Sequence, residues 1–387
     1  FNRKEIIMSI VFKEANTSNI VIHSDSDHTI ADDGSTLKSL SFTRNTNERL
    51  LYINYPESIM PFTNCYANNT TGNNKMLFQT TINANETVQL FFSHHNRSGS
   101  AINYSILIWN PASAGQIATV TATNYGYDKG YGKAEFLPWS SFYAGNGKSV
   151  AVDGQKSGYL FDKLGIEPDE QPFSGIMRLT TNRAVVLTVY IWKGSDRSVM
   201  DGTETQYPYD KNEAPYPEDK SPAEKYTGIG SGYYLISNNT ITAAEASGNG
   251  VYYGLADVNL TNTNEMIPIA LSGANYTAQK GQGKPLGNLG NWGAQYQIIT
   301  TLDNSASSVQ KTFKAYIGRC MKESKYFIRY GAEENYCSMG DPNSDFPTAY
   351  KWNFFDVTVP ARSKETFSFL LSHPTCSCAP IYIQWKI

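Results

Sequence analysis

The sequence predicts an all-β protein: two β-sandwich or jelly-roll-like domains joined by a Pro-rich acidic linker, preceded by an extended N-terminal β segment. Three observations carry that prediction. Apolar and polar residues alternate along the chain, strictly in IATVTAT (117–123), FKAYIG (313–318) and IYIQW (381–385). Aromatic residues make up 13 % of the 387, with 26 Tyr and 18 Phe, and these side chains favour pleated, half-buried surfaces. Clusters such as ANNTTGNN, SHHNRSGS, NPASAG, DNSASS and PARSKE punctuate the apolar runs with turn-forming residues.

The stretch EIIMSIVFKEANTSNIVIHSDSD reads as two strands within an N-terminal segment, 1–34. It is either a hairpin of the first domain or a strand exchanged with a neighbouring subunit, since an unpaired edge is a template for another chain. The first sandwich is expected over 35–193, with strands at RLLYINY, MLFQTT, TVQLFFS, YSILIW, IATVTAT and the long run RLTTNRAVVLTVYIW. Residues 194–227 are rich in Pro, Asp, Glu and Tyr and nearly free of aliphatic side chains, which reads as a linker or a long loop. The second sandwich, 228–387, carries MIPIAL, YQIITTL, FKAYIG, YFIRY, FFDVTV, TFSFLL and IYIQW. In the last of these Ile381, Ile383 and Trp385 should face one way and Tyr382 and Gln384 the other. Helix is expected only in short pieces, at 162–165 and 243–247.

Two pairs of segments echo each other. TINANETVQLFFS parallels TVPARSKETFSFLLS, and YSILIWNPASAGQIATVTA parallels YQIITTLDNSASSVQKTFKAY. Duplication and independent use of the same hairpin grammar both account for this.

Charged residues are 17 % of the chain and the net charge is −3, so no basic surface for nucleic acid is expected. The longest apolar runs, IIMSIVF (6–12) and AVVLTVYIW (184–192), fall short of a membrane span. The chain opens at Phe1 with its first Met at Met8, which reads either as removal of an upstream segment such as a signal peptide or as a trimmed chain.

Five cysteines are present: Cys65, Cys320, Cys337, Cys376 and Cys378. No CxxC or HxxxH accompanies them, so zinc is not indicated. Cys320 and Cys337 are spaced to close a loop, a crosslink worth roughly 3 kcal/mol by chain entropy in an oxidising compartment, or they are reduced, buried thiols. The odd count leaves Cys65, Cys376 and Cys378 for interdomain or intermolecular pairing.

Chemistry-bearing motifs are sparse. AGNGKS (144–149) resembles the end of a phosphate loop, but Phe142 stands where Gly is needed and a strand pattern follows. HSDSDH (23–28) would put His23, Asp25 and Asp27 on one strand face as a weak metal candidate; otherwise no metal and no cofactor is expected. His94 and His95 fall in a Ser/Asn/Gly-rich stretch that reads as a solvated turn. No Gly-x-Ser-x-Gly elbow is present, so an enzyme is not expected, although paired carboxylates leave a secreted hydrolase as a third reading.

Nine glycosylation sequons occur, at Asn16, Asn68, Asn69, Asn85, Asn96, Asn103, Asn238, Asn259 and Asn275. Among the six tryptophans, Trp109, Trp192 and Trp385 lie in alternating strands and read as core. Trp139 and Trp292 sit in Gly- or Pro-marked stretches, either as ligand contacts or as packing plugs.

The order of segments resembles secreted cell-surface proteins of Gram-positive bacteria whose function is largely unassigned. Some of these carry a copper-amine-oxidase N-terminal-like domain elsewhere. The resemblance rests on RLLYINY with TVQLFFS and YSILIWNP, on GNWGAQYQIITTLDNSASSVQKTFKAYIG, and on DVTVPARSKETFSFLLS with PIYIQWKI. It implies an extracellular two-domain β protein and transfers no catalytic residues.

These readings converge on an extracellular, cell-surface structural protein: a subunit of a layer, filament, appendage or matrix that self-assembles as a homo-oligomer or polymer. The alternative is a carbohydrate-binding adhesin that meets wall or surface glycans through Trp139 and Trp292.

Overall fold

In the computed structural model the described residues are 8–44, 48–54, 58–59, 74–130, 135–168, 172–194, 228–255, 267–268, 287–288, 292–319, 323–375, 377–378 and 380–387. The expected linker, Cys65, Cys320, Cys376, Asn68, Asn69, Asn259 and Asn275 lie outside them, apart from Gly194 at the edge of the linker.

The fold is all-β, as the alternation predicts, but the two compact units do not follow each other in sequence. A discontinuous unit gathers residues 1–45, 233–266 and 289–387; an inserted unit holds 46–232 with 267–288. The N-terminal segment therefore belongs with the C-terminal half. Ser9–Phe12 and Ile20–Ile22 both pair with Ala349–Val359 of the same chain.

The inserted unit is a two-sheet sandwich. One sheet runs Lys148–Val152, Ala118–Lys129, Pro172–Thr181, Thr87–Asn96, Glu48–Ile53 and Gly228–Ser231. The other runs Lys156–Ile166, Ile102–Asn110, Val185–Trp192 and Asn74–Ile82. Alternate residues of both sheets, among them Leu90, Phe92 and Met177 against Ile106, Leu187 and Val189, are fully buried in one core. The run RLTTNRAVVLTVYIW, expected as one strand, is two strands of different sheets turning at 182–184. That turn has no Gly or Pro, so its alternation hides the corner.

The discontinuous unit is a second sandwich. One sheet runs Ser9–Phe12, Ala349–Val359, Lys311–Gly318, Ile381–Lys386, Val251–Leu255 and Thr36–Leu37. The other runs Glu333–Met339, Ser324–Tyr330, Lys364–Ser372, Gln295–Asp303, Tyr233–Thr242 and Thr43–Arg44. An aromatic layer fills the space between them: Phe354 meets Phe369 at 5.5 Å, and Phe367 meets Phe355 at 5.5 Å and Trp385 at 6.1 Å.

The two units repeat one strand order. Lys148–Val152, Ala118–Lys129, Pro172–Thr181, Thr87–Asn96 and Glu48–Ile53 correspond in sequence and position to Ala349–Val359, Lys311–Gly318, Ile381–Lys386, Val251–Leu255 and Thr36–Leu37. The last pairing is parallel in both units. Facing them, Lys156–Ile166, Ile102–Asn110 and Asn74–Ile82 correspond to Lys364–Ser372, Gln295–Asp303 and Tyr233–Thr242. Among the described residues of the discontinuous unit nothing stands in the place of Val185–Trp192. Its neighbours there pair directly and in parallel, as removing one antiparallel strand requires.

The echo of YSILIWNPASAGQIATVTA in YQIITTLDNSASSVQKTFKAY is thus a true structural equivalence. The other echo is not: TVPARSKETFSFLLS corresponds to 151–165, where Gln155 (φ 59) matches Arg362 (φ 59) in the turn. One side chain marks the repeat. Asn110 Nδ2 donates to the carbonyls of Gln116 (2.7 Å) and Val152 (2.8 Å). Asn304 Nδ2 donates to those of Val309 (2.9 Å) and Val359 (3.2 Å). Both asparagines are fully buried.

Helix is scarce, as expected, but it falls elsewhere. Residues 162–165 belong to a strand and 243–247 to turns, whereas Leu137–Tyr143 is an α-helix led by Pro138 at its first turn. The helix lies on Ala118–Lys129, where Gly126 allows close approach: a Cβ there would sit 1.8 Å from the Pro138 carbonyl oxygen. Gly126→Ala should therefore push the helix off the sheet and destabilise the inserted unit by about 2 kcal/mol or more, read as a lowered urea midpoint.

Candidate functional site

The N-terminal segment is the part of the chain whose placement the sequence does not dictate, and it builds a dense polar site. Ser9–Phe12 pairs with the far half of Ala349–Val359 and Ile20–Ile22 with its near half, so together they form one split edge strand. Between them, residues 13–19 make a tight loop. The Asn19 side chain donates to the Glu14 carbonyl (2.8 Å) and accepts from the Asn16 N–H (3.0 Å). The Asn19 carbonyl accepts the Asn353 N–H at 2.9 Å. On the exposed side of this edge Val11 and Ile22 are 53 % and 65 % solvent-accessible.

The segment then crosses the outer face of the sheet. A 3₁₀ turn at Ile30–Asp33 is closed by Asp32, whose carboxylate accepts from the Thr29 N–H (2.7 Å) and hydroxyl (2.9 Å). Ile30 is fully buried and fills the space left by Gly318, where a Cβ would meet Ile30 Cδ1 at 2.5 Å.

The turn delivers Asp33 to the middle of the covered face. Lys351 Nζ donates to Asp33 Oδ2 and also to Gln384 Oε1 (2.9 Å). Gln384 Nε2 faces Asp33 Oδ2 (3.2 Å), the Asn249 carbonyl (3.2 Å) and Ser35. Tyr350 donates to Asp33 Oδ1 at 3.1 Å and His28 Nε2 approaches the same oxygen at 3.0 Å. Burial by itself would raise the Asp33 pKa; the bonds from Lys351, His28 and Tyr350 outweigh it and hold the carboxyl below its ordinary range. For Lys351 burial dominates and lowers its pKa, against the opposing pull of Asp33.

This explains the one departure from alternation in the C-terminal strand. Ile381, Ile383 and Trp385 share the core face as expected, but Gln384 on the opposite face is also fully buried. The N-terminal turn covers it.

The weak metal candidate does not form. The strand ends at Ile22, and His23, Asp25 and Asp27 lie in the following turn rather than on a shared strand face. His23 Nδ1 accepts the Asp25 N–H (3.1 Å), and its ring stacks on His28 at 3.6 Å. No cluster of three potential ligands occurs among the described residues. His94 and His95, expected in a solvated turn, are buried at the end of Thr87–Asn96, where His94 Nε2 lies 3.4 Å from the Tyr104 hydroxyl.

Both candidate ligand tryptophans are packed. Trp139 is 1 % exposed, held in the helix against Phe142 and Tyr143. Half-buried Trp292 stacks on His373 at 5.8 Å and donates its indole N–H to the Ser377 carbonyl at 2.7 Å. Of the expected core tryptophans, Trp192 and Trp385 are buried and Trp109 is half-buried.

Cys337, one half of the expected Cys320–Cys337 crosslink, is a buried thiol on the hairpin strand Glu333–Met339, and Cys378 is likewise a thiol; Cys320 lies outside the described residues. Burial pushes the Cys337 pKa up, which leaves the thiol protonated and unreactive. Of the sequons, Asn16, Asn85 and Asn238 are exposed. Asn96 and Asn103 cannot carry a glycan in this fold. Asn96 is fully buried and bonds the Ile166 carbonyl at 2.7 Å, while Asn103 bonds the Gly194 carbonyl and accepts the Gly165 N–H.

No known family model matches the chain, and no curated protein matches it in sequence. Among solved structures, the PBSX exported protein XepA aligns over 83 % of this chain and 88 % of its own, at 9 % identity and a TM-score of 0.17. The CUB1-EGF-CUB2 domains of rat MASP-1 align over 91 % and 99 %, at 8 % identity and a TM-score of 0.14. Likenesses this distant carry no argument about the chain. Among the described residues no helix is long and apolar enough to cross a membrane.

Proposed function

We propose that this is an extracellular structural protein that assembles through protein–protein contacts, with the N-terminal edge as the joint. The observation that supports the reading is the split edge strand. Among the described residues, two short strands close the sheet and pair on one side only, with Val11 exposed towards one end of the edge and Ile22 towards the other. Exposed, apolar edges are the sites at which β proteins add further strands. In this reading the chain is not an enzyme. The adhesin alternative loses ground at the residues first considered for it, because Trp139 is buried and the Trp292 indole N–H is already bonded.

The test is light scattering and electron microscopy of the native protein across a concentration series. Higher-order species that revert to monomer in Val11→Lys and Ile22→Lys variants are the expected result, since lysine blunts an edge. A strict monomer at the highest soluble concentration overturns the reading.

A further inference from the structure

We propose that Asn146 is a site of spontaneous modification, at which the side-chain amide closes on the Gly147 backbone nitrogen and opens again as aspartate or isoaspartate. The residue lies in AGNGKS (144–149), the stretch whose likeness to a phosphate loop ends at Phe142. In the structure this stretch links the helix Leu137–Tyr143 to the edge strand Lys148–Val152 of the inserted unit. The inference does not depend on the assembly role proposed above.

The reaction needs only water. The Gly147 nitrogen forms a bond to Asn146 Cγ, the Cγ–Nδ2 bond breaks, and that nitrogen leaves as ammonia with the proton that Gly147 gives up. Water then opens the cyclic imide. Cleavage at Cγ leaves aspartate. Cleavage at the main-chain carbonyl carbon leaves isoaspartate, with one more carbon in the backbone just before the strand. Nucleophile and carbonyl are neighbours in one chain, so the step is intramolecular. Glycine also sets no side chain beside the attacking nitrogen.

The structure selects this site over its rivals. Asn146 and Gly147 are both exposed. Among the described residues neither the Asn146 side chain nor the Gly147 N–H makes a hydrogen bond, so none has to be broken before attack. The other Asn–Gly pair, Asn249–Gly250, is held. Gly250 is buried, its N–H donates to the Ser247 carbonyl at 3.1 Å, and a Cβ there would lie 2.3 Å from the Trp385 carbonyl oxygen. The Asn249 carbonyl also accepts from Gln384 at 3.2 Å. Aspartate before glycine can cyclise in the same way, with loss of water, but these pairs are held too. Asp153 Oδ1 accepts the N–H groups of Gly154 and Gly115, each at 2.8 Å. Asp33, before Gly34, is fixed by Lys351, Tyr350 and His28. Asp201–Gly202 lies outside the described residues.

The experiment incubates the native full chain in mildly alkaline buffer at physiological temperature and maps its peptides by mass spectrometry. Isoaspartate is read, peptide by peptide, as methyl label transferred from S-adenosylmethionine by protein isoaspartyl methyltransferase. The peptide carrying Asn146 should split into two acidic products, one of which takes the label, while the peptide carrying Asn249 stays an amide. Both products should fall to background in Asn146→Gln, whose longer side chain closes a larger ring less readily; the residue is exposed, so the variant keeps the fold. In guanidinium chloride, where Gly250 is no longer held, both asparagines should convert. An Asn146 peptide that remains an amide in the native protein, or native conversion of Asn249 as fast as that of Asn146, overturns the proposal.

Discussion

Replacing Asp33 by alanine is expected to destabilise the discontinuous unit by about 3–5 kcal/mol, because it leaves the Lys351 ammonium buried without its counter-charge. The two side chains are 11 % and 7 % exposed, so solvent does little to screen the loss. The double variant Asp33→Ala with Lys351→Met should recover most of the stability, since an apolar side chain tolerates a site from which a lone charge is excluded. Urea unfolding of the three proteins reads both effects. A single variant within about 0.5 kcal/mol of the wild type would show that the network does not hold the N-terminal segment. The sign of the pH dependence follows from the same pair. The folded-state pKa of Asp33 lies below its unfolded value, so its contribution is complete above the ordinary carboxylate range, about pH 4, and is lost as pH falls through the folded value. Asp33→Ala should flatten the acid limb of the stability curve.

The buried asparagines give the second large effect. Asn304→Ala would remove the amide that donates to the carbonyls of Val309, Val359 and Pro360, of which Val309 and Pro360 keep the hydroxyls of Ser307 and Ser363, and Asn110→Ala would remove the one that donates to Gln116 and Val152. A buried acceptor left without its donor costs about 1–3 kcal/mol, so each variant should lose about that much. Since the residues sit in different units, hydrogen exchange should show the loss confined to the strands around 102–166 in one case and around 295–372 in the other. Uniform loss across both units would contradict the division into two cores.

What was legible in the sequence follows from what alternation encodes. It records which way a side chain points from its own strand, and so Ile381, Ile383 and Trp385 were placed on the core face. It does not record what lies over the other face. Gln384 reads as solvent-facing because the cover comes from residues 30–35, some 350 positions away. For the same reason the order of the two units is not written locally: a chain whose first strands pair with Ala349–Val359 shows no local sign of it. Turn residues mislead in the other direction. Trp139 sits beside Pro138, a helix-starting residue that also marks loops, and the short helix buries what a loop would have shown.

The split edge also sets how the molecule answers to force. Ser9 lies level with Thr358, Thr358 with Thr312, and Lys386 with Lys314, so both ends of this sheet emerge on the same side. A pull applied at Ser9 and Lys386 would open the hydrogen-bond ladder one rung at a time rather than shear many rungs together. The first element to yield would be a strand four residues long. The inserted unit takes up residues 46–232 and 267–288 of the chain, between stretches of the discontinuous unit in sequence, and would carry tension only after that sheet had come apart. In a stretched assembly the N-terminal edge would act as a fuse, and the larger run of inserted chain would be held in reserve as length.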